Sequence, residues 1–247
     1  MSYIKTVGII IREVQTGEAD KIVTIFSKSM GKITGSAKGA RRPKSRFIAG
    51  TQLLCYSDFV LYKGREIYSI NSCDVIEPFY NIRNSLDKLT CAAHMTEIIN
   101  DIVQENQPAI KVLQLFLNSL HMLSKTDKSL YQIIAIFELR LMSILGYGPL
   151  VGGCLNCGNQ DFESMEFSFL KCGLTCKKCS FLDGSAMDIS EGTAKALNYI
   201  IYSNIKNLFC FEVSDQVLRE LNIISKRYLK ERLEKEYKKM DFIKSLK

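Results

Sequence analysis

Along the first 77 residues, apolar positions tend to recur at every second place. Val7, Ile9 and Ile11 alternate with smaller or polar neighbours, and a second β-branched run at 22–26 follows a turn at 17–20. In GKITGSAK the alternation is strict. Lys32, Thr34, Ser36 and Lys38 fall on one face, and Ile33, Gly35 and Ala37 on the other. A period of two with one polar face predicts a half-exposed strand. Two further runs, 53–62 and 67–76, meet at Lys63-Gly64-Arg65, which reads as a hairpin. Five short strands in this stretch predict a small closed or partly closed barrel.

The period changes after Pro78. Asn84 or Ser85 can cap a helix running to about Gln104. Pro108 suits a helix start, and Val112, Leu113, Phe116, Leu117 and Leu120 follow at helical spacing. Asp127 can cap a third helix. Its apolar stripe runs through Leu130, Ile133, Ile134, Phe137, Leu141, Ile144 and Leu145, and Gly146 and Gly148-Pro149 stop it. Helical spacing resumes from Ser190 to Tyr202 and from Ser214 to nearly the end. The chain therefore predicts an α+β protein: a barrel at 1–78, helices at 79–150, a cysteine-bearing module at 151–185 and further helices at 186–247.

The module carries the clearest chemistry. Cys154-x2-Cys157 and Cys176-x2-Cys179 each form a knuckle that aims two thiolates at one ion, and the 18 residues between can fold back to join the knuckles. That spacing predicts a structural zinc site, one ion per chain, since four soft thiolates suit Zn²⁺ and leave no open position for substrate. Unligated thiols or a redox pair are the alternative. Cys172 is surplus and reads as a bystander. His94 and His121 lie in helical segments and read as helix residues, neither ligand nor base.

Nine cysteines is an odd number, which fits thiols and a metal better than a disulfide framework. The N-terminus has no long apolar core or small-residue cleavage site, and no apolar run is long enough to span a bilayer. A cytosolic, reducing location is the expectation. P-loop, GxGxxG, GxSxG and HExxH patterns are missing. So is any His-x-Glu, which argues against a zinc deaminase. No enzyme is expected.

Net charge is +7, with 12 Lys+Arg against 7 Asp+Glu in residues 1–80. The excess gathers between 28 and 46, where Lys28, Lys32, Lys38, Arg41, Arg42, Lys44 and Arg46 occur with no acid. A strand face leading into a basic loop is how single-strand binders track a phosphate backbone. A solvated loop is the alternative. Phe47, Tyr56, Tyr62 and Tyr68 are candidates for stacking on bases or for packing in the barrel wall. The basic residues near the C-terminus interleave with Glu231, Glu234 and Glu236, a pattern of i,i+4 pairs on a solvated helix.

The order of motifs resembles the bacterial RecO family of DNA repair proteins over essentially the whole chain. It is carried by Gly17-Glu18-Ala19-Asp20-Lys21 with Gly31-Lys32, by Ala37-Lys38-Gly39-Ala40-Arg41-Arg42 with Lys44-Ser45-Arg46-Phe47, and by Glu77-Pro78-Phe79. Phe137-Glu138-Leu139-Arg140-Leu141, Leu145-Gly146-Tyr147-Gly148-Pro149 and the paired Cys-x2-Cys complete it. Cys172-Gly173 departs from the Gly-Gly frequent in relatives. The resemblance implies an OB-fold barrel, then a helical domain with a zinc module. It implies a cytoplasmic, nucleoid-associated recombination mediator that binds single- and double-stranded DNA and anneals complementary strands. Such a protein acts on strands coated by single-stranded DNA-binding protein, and with RecR it loads RecA. Other readings are a zinc-bearing protein adaptor, or an RNA-binding or transcription-related protein without annealing activity. Arg140 is a candidate contact for an acidic partner tail, or else a salt bridge inside the helical domain.

Overall fold

The computed structural model describes residues 3–180, 184 and 186–240. The chain divides into two compact units that part between Ser124 and Lys125.

The first unit opens with β1 (Tyr3–Thr16), β2 (Asp20–Ser27), β3 (Gly31–Ala37), β4 (Tyr56–Lys63) and β5 (Tyr68–Glu77). They form a closed barrel in the order β1-β2-β3-β5-β4. Antiparallel pairing joins β1 to β4, while a short parallel ladder, Gly35 to Tyr68 and Ser36 to Ser69, joins β3 to β5. Closure leaves little of the exposed sheet edge that invites aggregation, a short stretch of β3 excepted. β3 shows the predicted alternation: Ile33, Gly35 and Ala37 are buried, and Lys32, Thr34 and Ser36 are half-exposed. The hairpin also forms, with Lys63 opposite Tyr68.

Ile10, Val23, Ile25, Ile33, Phe59, Leu61 and Ile70 fill the barrel interior, and Ala40 and Phe47 enter it from the β3–β4 connection. That connection is a chain of turns bonded three residues apart, such as Arg42 N to Gly39 O and Ser45 N to Arg42 O. The Val7, Ile9, Ile11 alternation does not mark the barrel interior. Ile10 faces inward, and Ile9 is buried on the opposite face. The register slips between Ile10 and Arg12, making Ile11 the extra residue of a bulge. Three consecutive isoleucines gave no means of telling the faces apart.

The short helix α1 (Tyr80–Arg83), unsignalled in the sequence, precedes α2 (Leu86–Ile102) and α3 (Ile110–Lys125). Ser85 caps α2 by accepting from Lys88 N. Beyond α2 the chain runs along the edge of β3, where Lys32 N donates to Gln104 O and Asn106 N donates to Lys32 O.

The second unit holds α4 (Leu130–Ile144), β6 (Met165–Ser168), β7 (Gly173–Cys176), β8 (Ala186–Asp188), α5 (Glu191–Tyr202) and α6 (Asp215–Leu233). α4 packs on α5 and α6 and is apolar nearly all round, as a central helix must be. It follows Ser129, not the expected cap Asp127, and Ser129 makes no side-chain cap bond. Its end is the expected glycine stop. Gly146 adopts φ 88°, Gly146 N donates to Ser143 O, and Tyr147 N donates to Met142 O. Ser190 and Ser214 cap α5 and α6. α6 stops at Leu233, with Glu234 left-handed at φ 51°, short of the expected run toward the C-terminus. Residues 241–247 lie outside the described residues.

The cysteine segment was expected to be a loop between knuckles. It contains a three-stranded antiparallel sheet, order β7-β6-β8.

Candidate metal centre and nucleic-acid interface

The sheet positions the cysteines. Cys176 ends β7, opposite Met165 of β6. The first knuckle is tied to the far edge of β7: Leu150 N donates to Cys172 O, Leu174 N to Leu150 O, and Leu155 N to Leu174 O. Gly173 permits this approach, because a Cβ there would collide with the Leu150 carbonyl oxygen. Phe167 of β6 meets Tyr228 of α6 edge-on at 5.9 Å, and the Arg227 guanidinium lies 3.8 Å above the Phe169 ring. The module is thereby seated on α6.

Cys154, Cys157, Cys176 and Cys179 converge, all four sulfurs lying within 4.8 Å of one another. Cys157 Sγ and Cys176 Sγ are 3.7 Å apart. A tetrahedron with metal–sulfur bonds of about 2.3 Å has edges of about 3.8 Å. The geometry therefore suits a four-thiolate ion. Cys176 N donates to Cys154 Sγ at 3.2 Å. Burial raises the Cys154 thiol, but amide donors from Cys176, Cys157 and Asn156 outweigh it and bring the thiol down to about 6. A hydrogen bond shared with Cys176, then burial and bonds with Cys157 and Cys154, push Cys179 up to about 12. Four thiolates this close repel one another unless a cation sits among them. The cluster can hold a metal ion.

Cys172 is not in the cluster. It is left-handed at φ 58°, and its thiol makes long contacts to Phe169 O and Leu170 O and lies beside the Tyr228 side chain. His94 is buried on α2 and His121 is exposed on α3, both in the other unit from the cysteines.

In the first unit the seven basic side chains have different surroundings. Lys28, Lys38, Arg42 and Lys44 are exposed and make no ion pair among the described residues. Arg41 is exposed and donates to Glu18 O at 3.3 Å. Arg46 donates to Asn71 O of β5 at 2.6 Å and lies over the Phe47 ring. Lys32 is committed elsewhere. Its Nζ donates to Asn100 O at 2.8 Å, at the carbonyl end of α2, where a cation meets the helix dipole. Asp20 Oδ1 accepts from Gly39 N and fixes the start of the basic loop on the barrel. Of the four aromatic candidates, Phe47 lies in the barrel interior and Tyr68 packs against it. Tyr62 stacks at a tilt on Tyr3, and Tyr56 is half-buried on β4.

Residues 1–79 match the family described as recombination protein O N terminal, and residues 83–241 match recombination protein O C terminal. The chain belongs to the recombination protein O family. Among its relatives, the DNA repair protein RecO of Acetivibrio thermocellus is 64% identical over 246 residues, covering 100% of this chain and 98% of that one. The RecO of Alkaliphilus metalliredigens is 36% identical over 92% of both chains. That of Thermoanaerobacter is 34% identical over 100% of this chain and 99% of its own. The join between the two family matches falls at the exit from the barrel, where Pro78 changes the period.

Arg140, singled out by the family's third-helix motif, has an internal partner. Its guanidinium donates to the carbonyls of Ile200, Ile201 and Ser203, the last at 2.8 Å. These are end-of-helix carbonyls of α5, which α5 itself leaves without donors. Among the described residues its partners are these carbonyls. No feature of the sequence near 200 signalled the pairing. No helix among the described residues is long and apolar enough to cross a membrane.

Proposed function

We propose that this chain is a non-enzymatic mediator of recombinational DNA repair, working in the bacterial cytoplasm on chromosomal DNA. It binds single- and double-stranded DNA and anneals complementary strands. With RecR it loads RecA onto strands coated by single-stranded DNA-binding protein. The observation that carries the reading is the acid-free basic loop standing on a closed barrel, in a family whose full-length relatives are named for DNA repair. Lys28, Lys38, Arg41, Arg42, Lys44 and Arg46 contact phosphates; Lys32 positions α2 against β3. Zinc at Cys154, Cys157, Cys176 and Cys179 is structural and holds the module that rests on α6.

Annealing of complementary labelled oligonucleotides tests the reading, with equilibrium binding measured across a salt series. Each phosphate contact adds about 0.7 to the slope of log K against log salt for single strands. Changing Arg41, Arg42 and Lys44 together to Ala should flatten the slope by about two units and slow annealing, leaving thermal stability and metal content unchanged. A purified protein that neither binds nor anneals bare DNA would leave the adaptor reading in its place.

A further inference from the structure

A second feature of the barrel lies away from the basic loop. The parallel β3–β5 ladder covers only Gly35 and Ser36, and the chain after α2 covers β3 only near Gly31 and Lys32. Between these two partners the edge of β3 at Ile33 and Thr34 is left beside a notch of about 490 Å³. The β4–β5 hairpin forms its other wall.

The chemistry of the notch is mixed. Lys63 and Arg65, on the hairpin, are exposed cations without an ion pair among the described residues. Lys32 also lines the notch, its Nζ donating to Asn100 O; Glu66 and Glu105 add two carboxylates, and Thr34 and Tyr68 add a hydroxyl and an aromatic ring. Cations and carboxylates thus line the same notch, the first suited to a phosphate and the second to a hydrogen-bond donor. Carboxylates accept hydrogen bonds from the exocyclic amino groups of bases, as they do from cytosine N4, and a Tyr face suits base stacking. A nucleotide satisfies all of these at once, its base against the carboxylates and its phosphate against the hairpin cations. The polar face of β3 then leads along the strand from Thr34 through Ser36 to Lys38 at the foot of the basic loop. At about 3.3 Å per residue that path spans roughly 13 Å.

Resting on the DNA-binding reading above, we propose that this notch receives one unstacked base of the bound single strand, preferring amino-bearing bases to thymine, with Lys63 and Arg65 holding the adjoining phosphates. The notch is then a base-reading site, and the basic loop supplies sequence-independent affinity.

The test is fluorescence anisotropy with three labelled single strands of about 12 nucleotides, a length within the span one such barrel covers. They are oligo(dC), oligo(dT) and an abasic deoxyribose-phosphate strand. The wild-type chain should bind oligo(dC) roughly three- to ten-fold more tightly than oligo(dT), the worth of one hydrogen bond. Glu105→Ala should erase that preference while keeping affinity for oligo(dT). K63A/R65A should lower the single-strand salt slope by about 1.4 on all three strands. The R41A/R42A/K44A variant should weaken binding to every strand and keep the oligo(dC) preference. Equal binding of oligo(dC) and oligo(dT) by the wild-type chain overturns the proposal. So does an unaltered preference in Glu105→Ala, or an unchanged slope in a folded K63A/R65A variant. In each case DNA binding itself stands if the basic-loop variant is weakened. Failure of the wild-type chain to bind any strand would sink the DNA-binding reading instead.

Discussion

The barrel and the cysteine module are both small antiparallel-rich sheets, and they are held together by opposite means. The barrel encloses its own core: Ile10, Ile25, Phe59, Leu61 and the rest face one another across a closed wall. The module has three strands of four, four and three residues, too few to enclose anything. It buries Phe167 and Phe169 against α6 on one side and gathers four sulfurs on the other. A segment of that size needs a staple, whereas strands of seven to fourteen residues closed into a barrel do not. On the zinc reading proposed above, metal dependence is local to the module, and sensitivity to loss of apolar volume is greater in the barrel than in the module.

The sharpest way to break this contrast is to remove the clip. Structural four-thiolate zinc sites contribute apparent binding free energies of about 10–16 kcal/mol. With zinc bound there as proposed, Cys176→Ser, or exhaustive chelation, should empty the site and open residues 150–180 to proteolysis, while the barrel keeps its protection in hydrogen exchange. A barrel that melts together with the module would show that the two units share one stability. Next in size is Phe59→Ala. Phe59 is fully buried in the barrel interior, and its loss should cost about 3–5 kcal/mol in denaturant unfolding of the first unit, with metal content unaffected.

Smaller still is the contribution of Glu220. Burial raises its carboxyl, but hydrogen bonds from Thr193, Ser190 and Gln216 outweigh this and hold it below the ordinary glutamate value. Its folded value lies under its unfolded one, so the ionised form stabilises the second unit at neutral pH. That stability is lost as pH falls below about 4.3 toward the folded value. Glu220→Gln should cost about 1 kcal/mol at neutral pH, a modest figure because the site is partly open to solvent. The deficit should shrink on acidification, which an unfolding series against pH will read. Smallest is Cys172→Gly. Relief of left-handed strain is worth about 1–2 kcal/mol, and glycine's extra freedom in the unfolded chain costs about 0.5–1 kcal/mol. A gain of about half a kcal/mol with unchanged metal content is expected; loss of metal would make Cys172 a ligand.

Much of this was legible in order of chain. The strict alternation of GKITGSAK, the Lys63-Gly64-Arg65 hairpin, the Ser85 cap, the helix starts at Ser190 and Ser214 and the Gly146 stop all depend on residues within a few positions of one another. Such local preferences are written in the residues themselves. The paired Cys-x2-Cys spacing belongs with them, since each knuckle is a local turn and only the meeting of the two is long-range.

What tertiary structure decided is where a residue's partner comes from a distant segment. Ile10 faces the barrel interior because β1 must pair with both β2 and β4 and takes a bulge to do so. Lys32, one of an acid-free set of cations by sequence, is tied to a carbonyl of α2 some seventy positions away. Arg140 is fixed by the end of α5 in the same way. The strands of the module form because β6 finds β7 and β8 on either side and α6 beneath. Spacing along the chain carries helix and strand periods, caps and knuckles; hydrogen-bond partners brought together by folding carry the rest, because a buried or half-buried polar group takes whichever complement the fold places within reach.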